Sequence, residues 1–319
     1  MPLDPRLFRP DAVSPEMTAF NTRLGAEISA APPITEFDPA EVRGAEREGR
    51  PGKPPPVALD NACELTCAGP ASEIPLRAFI PRECAGAYLH IHGGGWVLGG
   101  YDLQDEALWR MARETNLAVI SVEYRLAPEH PYPAGPDDCE AAARWLVENS
   151  RSRFGTDCLV IGGESAGAHL SAVTVLRMRD RHGFTAWSGA DFVYGAFDFS
   201  GACPSRTHIG ADSLVINAAN MPWFVGHFLG GREIDPADPD LSPLHAPLHG
   251  LPPALFSVGT ADPLLDDSLF MYARWIAAGN PAEIQIYPGA AHAFDSRQSP
   301  LAERFHQQRH RFLRDCAGG

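Results

Sequence analysis

An α/β fold, a mostly parallel sheet with helices on both faces, is predicted by three features of the chain. Short apolar runs alternate with helix-like stretches from about residue 74 onward. Several of those runs are nearly unbroken by polar residues, as expected of strands buried on both faces. One of them leads straight into a Gly-x-Ser-x-Gly turn that opens a helix-like stretch.

The elements follow in chain order. Met17, Phe20, Leu24 and Ile28 recur at helical spacing and predict an N-terminal helix that must cover another surface. GRPGKPPP (49–56) reads as a Pro-rich linker. Strands are expected at 74–80, 87–91, 117–124, 158–163, 192–197, 254–258 and 282–287. Helices are expected at 105–115, 139–149, 165–180, 267–278 and 301–315. Residues 199–248 interrupt the alternation with Pro, Gly, Asp and His around an apolar patch, MPWFVGHFL (221–229). This interval reads as an insertion that packs with the N-terminal helix to form a cap over the sheet. The expected division is residues 1–56 as N-terminal cap helices and linker, 57–198 and 249–319 as the α/β core, and 199–248 as the cap insertion.

Composition narrows the function. A length of 319 residues suffices for a large core. A net charge of -14 repels phosphate backbones and anionic lipid, so neither nucleic-acid binding nor stable membrane anchoring is expected. No apolar run is long enough for a transmembrane helix, and the N-terminus has no signal-peptide pattern. The seven Cys are odd in number, and Cys63 and Cys67 have no second close pair, so free thiols in a reducing compartment are expected rather than a metal site. Cytoplasmic residence is the resulting default, with a homodimer left open.

Gly163-Glu164-Ser165-Ala166-Gly167 carries the strongest chemical signal. A sharp strand-to-helix turn lifts the Ser165 hydroxyl above the carboxyl ends of the strands, where open α/β sheets bind ligands, and only small flanking residues avoid clashes there. His92-Gly93-Gly94-Gly95-Trp96 follows the 87–91 run. Three glycines let backbone N–H groups turn toward an oxyanion, and the expected donors are those of Gly94, Gly95 and Ala166. His92 is expected to hold the loop. A nucleophile needs a base, and the base a carboxylate. His292 follows the last strand and a short loop, whereas His306 and His310 sit one turn apart in the final helix and look solvated. Asp262 follows the 254–258 run and a turn, at the same sheet edge. Asp266 and Asp267 start the next helix, where capping is their expected duty.

These motifs resemble the hormone-sensitive-lipase-like esterases, over roughly residues 75–315. The resemblance rests on HGGGW (92–96), EYRLAPEHPYPAGPDDC (123–139), GESAG (163–167), LPPALFSVGTADPLLDD (251–267) and AHAF (291–294). It implies an α/β-hydrolase fold with a helical cap, with Ser165 as nucleophile, Asp262 as acid, His292 as base and the HGGG loop as oxyanion hole. It also makes Met221 and Phe224 of the MPWF stretch candidates for the substrate pocket, to which Trp96 and Glu164 are added. Three positions depart from the family: Glu164 stands where Asp is commoner, Ala293 where Gly is commoner, and Ala168 where Gly often follows the elbow. Arg125 and Glu129 are expected to pair structurally, and Asp137 and Asp138 to start a helix.

The expected activity is a serine carboxylesterase acting on short- to medium-chain esters through an acyl-enzyme, without metal or organic cofactor. Activity is expected to fall at acid pH as the base is protonated. Lipase, lactonase and amide or N-acetyl hydrolase readings use the same triad. A non-catalytic binding protein on the same fold is the remote alternative, as in the plant gibberellin receptor, a relative that lacks the base.

Overall fold

The computed structural model describes residues 3–49, 55–211, 213–297 and 299–318. Residues 50–54 of the expected linker lie outside the described residues. In chain order the elements are α1 (Pro15–Ser29), α2 (Pro39–Glu48), β1 (Cys63–Ala68), β2 (Glu73–Phe79), β3 (Gly86–Ile91), α3 (Asp105–Thr115), β4 (Leu117–Val122), α4 (Ala134–Phe154), β5 (Leu159–Glu164), α5 (Ala166–His182), β6 (Gly189–Val193), α6 (Ser205–His208), α7 (Met221–Leu229), β7 (Ala254–Gly259), α8 (Leu265–Ala277), β8 (Ala282–Tyr287) and α9 (Ala302–Cys316). The strands form one sheet in the order β1-β2-β4-β3-β5-β6-β7-β8. Among the described residues, only the β1/β2 and β2/β4 pairs are antiparallel.

Strand residues alternate between two apolar layers. Leu89, Ile120 and Ile161 face a cluster with α4, α5 and α8, through Leu146, Leu170 and Trp275. Their neighbours Tyr88, Val119 and Val160 face Leu108 and Met111 of α3 and Phe312 and Leu313 of α9. This period of two, with apolar contacts on both sides, is why the strand sequences are continuously hydrophobic.

α1 starts where Ser14 accepts the Met17 N–H and Pro15 occupies the first turn. Its expected apolar face is real: Met17, Phe20 and Leu24 are buried against Val193, Val258, Ile286 and Phe294 from the carboxyl ends of β6–β8 and the loops beyond. Leu214 and Val215 of the insertion join the same cluster. Residues Leu241, Leu244, Ala246 and Leu248 at the far end of the insertion are part of the main core instead.

Several expectations shift. β1 was not expected, because its residues are mostly exposed at the sheet edge and carry no continuous apolar signal. The 192–197 run is only half strand. β6 ends at Val193, and Tyr194, at φ 38°, turns the chain into a buried loop that keeps Ala196 and Phe197 apolar. Arg125 pairs with Asp138, not Glu129, and Glu129 pairs with Arg43 of α2. The partner was hidden because Asp138 comes back beside Arg125 only once α4 folds. Asp266 and Asp267 do not cap α8. Asp266 accepts the Ser205 N–H, and Asp267 accepts the Phe197 and Asp198 N–H groups and pairs with Arg206. His310 is buried and bonded to Glu114 of α3, and His306 is partly buried beside it, so neither is solvated surface.

Candidate active site

The elbow between β5 and α5 is built on backbone proximity. A Cβ at either Gly163 or Gly167 would lie 1.9 Å from the Ile91 carbonyl oxygen at the end of β3. That contact is impossible, so both positions require glycine. Ser165 between them sits at φ 57°, ψ -119°, a conformation costly for any side chain. Its N–H is held by the Val193 carbonyl at 2.8 Å. α5 begins at Ala166, whose N–H has no intrahelical acceptor, as at every helix start.

His292, in the loop after β8, places Nε2 2.9 Å from Ser165 Oγ. Its Nδ1 lies 2.8 Å from Asp262 Oδ2, and the other Asp262 oxygen accepts the Leu264 N–H at 2.9 Å. Asp262 is fully buried and His292 nearly so. The Tyr194 ring packs edge-on against the imidazole at 4.6 Å between centroids. Three side chains from the ends of β5, β7 and β8 therefore form one continuous relay. Ala293, next to the imidazole, has φ 56°, which explains why glycine suits this position better; alanine there costs about 1 kcal/mol.

A second Ser-His-Asp grouping exists, but its geometry differs. His245 Nε2 approaches both Ser200 Oγ at 3.1 Å and Asp198 Oδ1 at 3.0 Å. The Ser200 hydroxyl donates directly to Asp198 at 2.6 Å. One ring nitrogen facing both groups leaves no relay across the imidazole, and Asp198 mainly receives backbone N–H groups of its own loop.

The glycine loop faces the elbow. Each peptide unit is planar, so fixing a carbonyl fixes the N–H of the next residue. His92 Nδ1–H donates to the Gly93 carbonyl at 2.7 Å, which sets the Gly94 N–H. Leu98 N–H donates to the Gly94 carbonyl at 2.8 Å, which sets the Gly95 N–H. Gly94 (φ 112°) and Gly95 (φ 60°) adopt backbone that other residues reach only with strain. Burial lowers the His92 imidazole to about 4, so it stays neutral with one N–H to give.

The four expected pocket residues separate. Phe224 of α7 lies directly on the loop, since a Cβ at Gly95 would fall 2.3 Å from its ring. Met221 opens the same helix three residues earlier and is partly buried. Trp96 is buried, and its indole is turned into an aromatic cluster, stacked on Phe228 at 4.6 Å, with Nε1–H donating to His169 Nδ1 at 3.0 Å. Its side chain thus packs among Phe228 and His169, and its backbone sits at φ 63°. Glu164 directs its carboxylate to Gly93, His90 and Gln104.

Sequence reasoning missed His90, Gln104, His169 and Tyr194. His169 stands one helical turn beyond Ser165, a spacing that places it on the loop side of α5. No comparable signal marked the others. Cys63 opens the β1 strand and Cys67 lies four residues along it, about 13 Å away at ~3.3 Å per residue, too far to share a metal. No helix among the described residues is long and apolar enough to cross a membrane.

Known proteins match this arrangement. A family described by its alpha/beta hydrolase fold matches residues 88–296. The carboxylic ester hydrolase LipN of Mycobacterium tuberculosis is 35% identical over 259 residues, covering 77% of this chain and 67% of its own. The ethyl acetate hydrolase of Pseudomonas putida is 31% identical over 239 residues, covering 72% and 74%. The structure of a hyperthermophilic esterase from Pyrobaculum calidifontis superposes over all of both chains with a TM-score of 0.84 at 27% identity. By fold, motif and relatives alike, the chain belongs to the α/β-hydrolase family and, within it, to the hormone-sensitive-lipase-like carboxylesterases.

Proposed function

We propose that this carboxylic ester hydrolase cleaves short- to medium-chain esters by two-step acyl transfer on Ser165. The observation that carries the reading is the unbroken Ser165–His292–Asp262 relay, with bonds of 2.9 and 2.8 Å. His292 Nε2 takes the hydroxyl proton as Oγ attacks the ester carbonyl. The oxyanion accepts N–H groups of Gly94, Gly95 and Ala166. The tetrahedral intermediate collapses, the imidazolium returns its proton to the leaving alcohol, and water repeats the cycle on the acyl-enzyme. Asp262 holds the Nδ1–H tautomer and stabilises the imidazolium charge.

The small-ester preference is supported by Phe224, which narrows the space above Gly95, and by the relative named for ethyl acetate. α1, α2 and the insertion up to about residue 240 are assigned as the cap, supported by the packing of Leu214 and Val215 on the cluster that includes Met17, Phe20 and Leu24 of α1, and of Phe224 on the cluster that includes Val42 of α2. The open edge of β8 beside the exposed Phe270 and Ile276 of α8 favours a homodimer. Seven free thiols favour the reducing cytoplasm.

The test is Ser165→Ala assayed on p-nitrophenyl acetate, butyrate, octanoate and palmitate. Turnover is expected to fall by roughly 10⁵-fold or more. The unaltered enzyme is expected to favour acyl chains below about ten carbons. Retained turnover in the variant, or a preference for palmitate, would refute the reading.

A further inference from the structure

Glu164 precedes the nucleophile and takes no part in the relay. Its two carboxylate oxygens nevertheless receive three donors from three different segments. Oε2 faces His90 Nε2 of β3 at 3.0 Å. Oε1 accepts the Gly93 N–H at 3.1 Å and the Gln104 side-chain amide at 2.6 Å. His90 is fixed in turn by Ser121 Oγ of β4 at 3.1 Å. Gln104 is the residue just before α3. The Gly93 backbone lies so close to Glu164 that a Cβ there would sit 2.8 Å from the Glu164 carbonyl oxygen.

Gly93 is the hinge of the glycine loop. Its carbonyl, held by His92, orients the Gly94 N–H, and its own N–H is held by Glu164. With both sides of the residue fixed, the peptide plane carrying Gly94 N–H has little freedom left. Burial would raise the Glu164 carboxyl. The His90 imidazole, the Arg309 charge and the Gln104 amide outweigh it and hold the group well below the ordinary carboxylate range. The group is therefore a carboxylate, an acceptor only, matched to three donors.

We infer that Glu164 is a positioning residue for the oxyanion hole, locking the Gly93 hinge to the nucleophile elbow so that donors and Ser165 move as one unit. Gln104 and His90 complete the lock, and they tie the loop to α3 and to the sheet. The inference rests on the reading of Gly94 and Gly95 as oxyanion donors.

The test compares Glu164→Gln, Glu164→Asp and Gln104→Ala with the unaltered enzyme. It uses p-nitrophenyl butyrate kinetics and inhibition by a trifluoromethyl ketone, which adds Ser165 Oγ and forms a tetrahedral oxyanion. Glu164→Gln removes the charge and leaves a single oxygen where the carboxylate offered two to three donors. It is expected to lower kcat by about 10- to 100-fold with KM changed less than about threefold, and to raise the ketone Ki by a similar factor. Glu164→Asp keeps the charge and is expected to recover part of the loss. Gln104→Ala leaves the relay and glycines untouched, so it carries the test if the Glu164 variants do not fold. It is expected to lower kcat and raise Ki together, by about threefold or more. An unchanged kcat and Ki in whichever variants fold would overturn the inference, and so would a kcat loss without a Ki change. Ser165→Ala separates the two readings: if it retains turnover, the assignment of the site fails, whatever the Glu164 variants do.

Discussion

At the residue scale, the active groups are defined by what their second atoms bond. Ser165 and His292 lie 2.9 Å apart, and Asp262 on the far side of the ring holds the proton at Nδ1, so that Nε2 faces the hydroxyl as an acceptor. Asp262 has no other freedom, since Leu264 N–H holds its second oxygen. Asp262→Asn keeps the shape and presents an N–H where an acceptor is needed, which favours the wrong imidazole tautomer. kcat on p-nitrophenyl butyrate is expected to fall by about 10⁴-fold with an unchanged fold by circular dichroism. A loss below about tenfold would show that the carboxylate does not orient the base. His169 illustrates the same logic for a neutral ring. It accepts from Trp96 Nε1–H through Nδ1 and donates from Nε2 to the Leu241 carbonyl at 2.8 Å. Only the neutral form can do both.

At the element scale, the elbow and α7 do different work. The β5–α5 turn is rigid because two glycines meet the end of β3, and no larger residue fits. α7 is short, and of its residues only Phe228 is fully buried. Its Phe224 ring lies on Gly95 and packs with Trp223 against the group that includes Val42 of α2. Shortening that side chain opens space next to Gly95 of the glycine loop without touching the relay. Phe224→Ala is expected to raise the ratio of kcat/KM for p-nitrophenyl octanoate over acetate by roughly tenfold. An unchanged ratio would remove Phe224 from the pocket wall.

At the scale of the whole molecule, burial makes the fold sensitive to acid. His92 and His169 are both lowered to about 4, first by burial, from an ordinary value of 6.5. The unfolded chain therefore binds more protons than the folded one between pH 6.5 and 4. Stability is present above that window and is lost as pH falls through it. Each imidazole contributes on the order of 3 kcal/mol at the lower limit. Asp267 and Asp295, whose carboxyls burial raises, gain protons in the folded state and offset part of this loss. Urea unfolding at pH 7.0, 5.5 and 4.0 is expected to show a steady fall in midpoint, with a net change of a few kcal/mol. A constant midpoint over that range would contradict the burial of neutral imidazoles.

The sequence alone determined the α/β alternation, the elbow, the glycine loop and the three relay residues. The first three depend on local constraints, unbroken apolar runs and glycines where no Cβ fits, whereas Asp262 and His292 were expected from the chain order of the class and from the family resemblance. β8 at 282–287 and α3 at 105–115 have the expected bounds because their signals are local and strong. Only the tertiary structure decided which polar groups meet. Arg125 takes Asp138 rather than Glu129, Asp267 serves Arg206 and the 197–198 backbone, and Trp96 turns inward to His169. Glu164 acquires its three donors from residues 60 to 74 positions away in the chain. A side chain's type and spacing reveal what it can bond. Which partner it finds is set by the packing of distant elements, and no periodicity in the sequence records that choice.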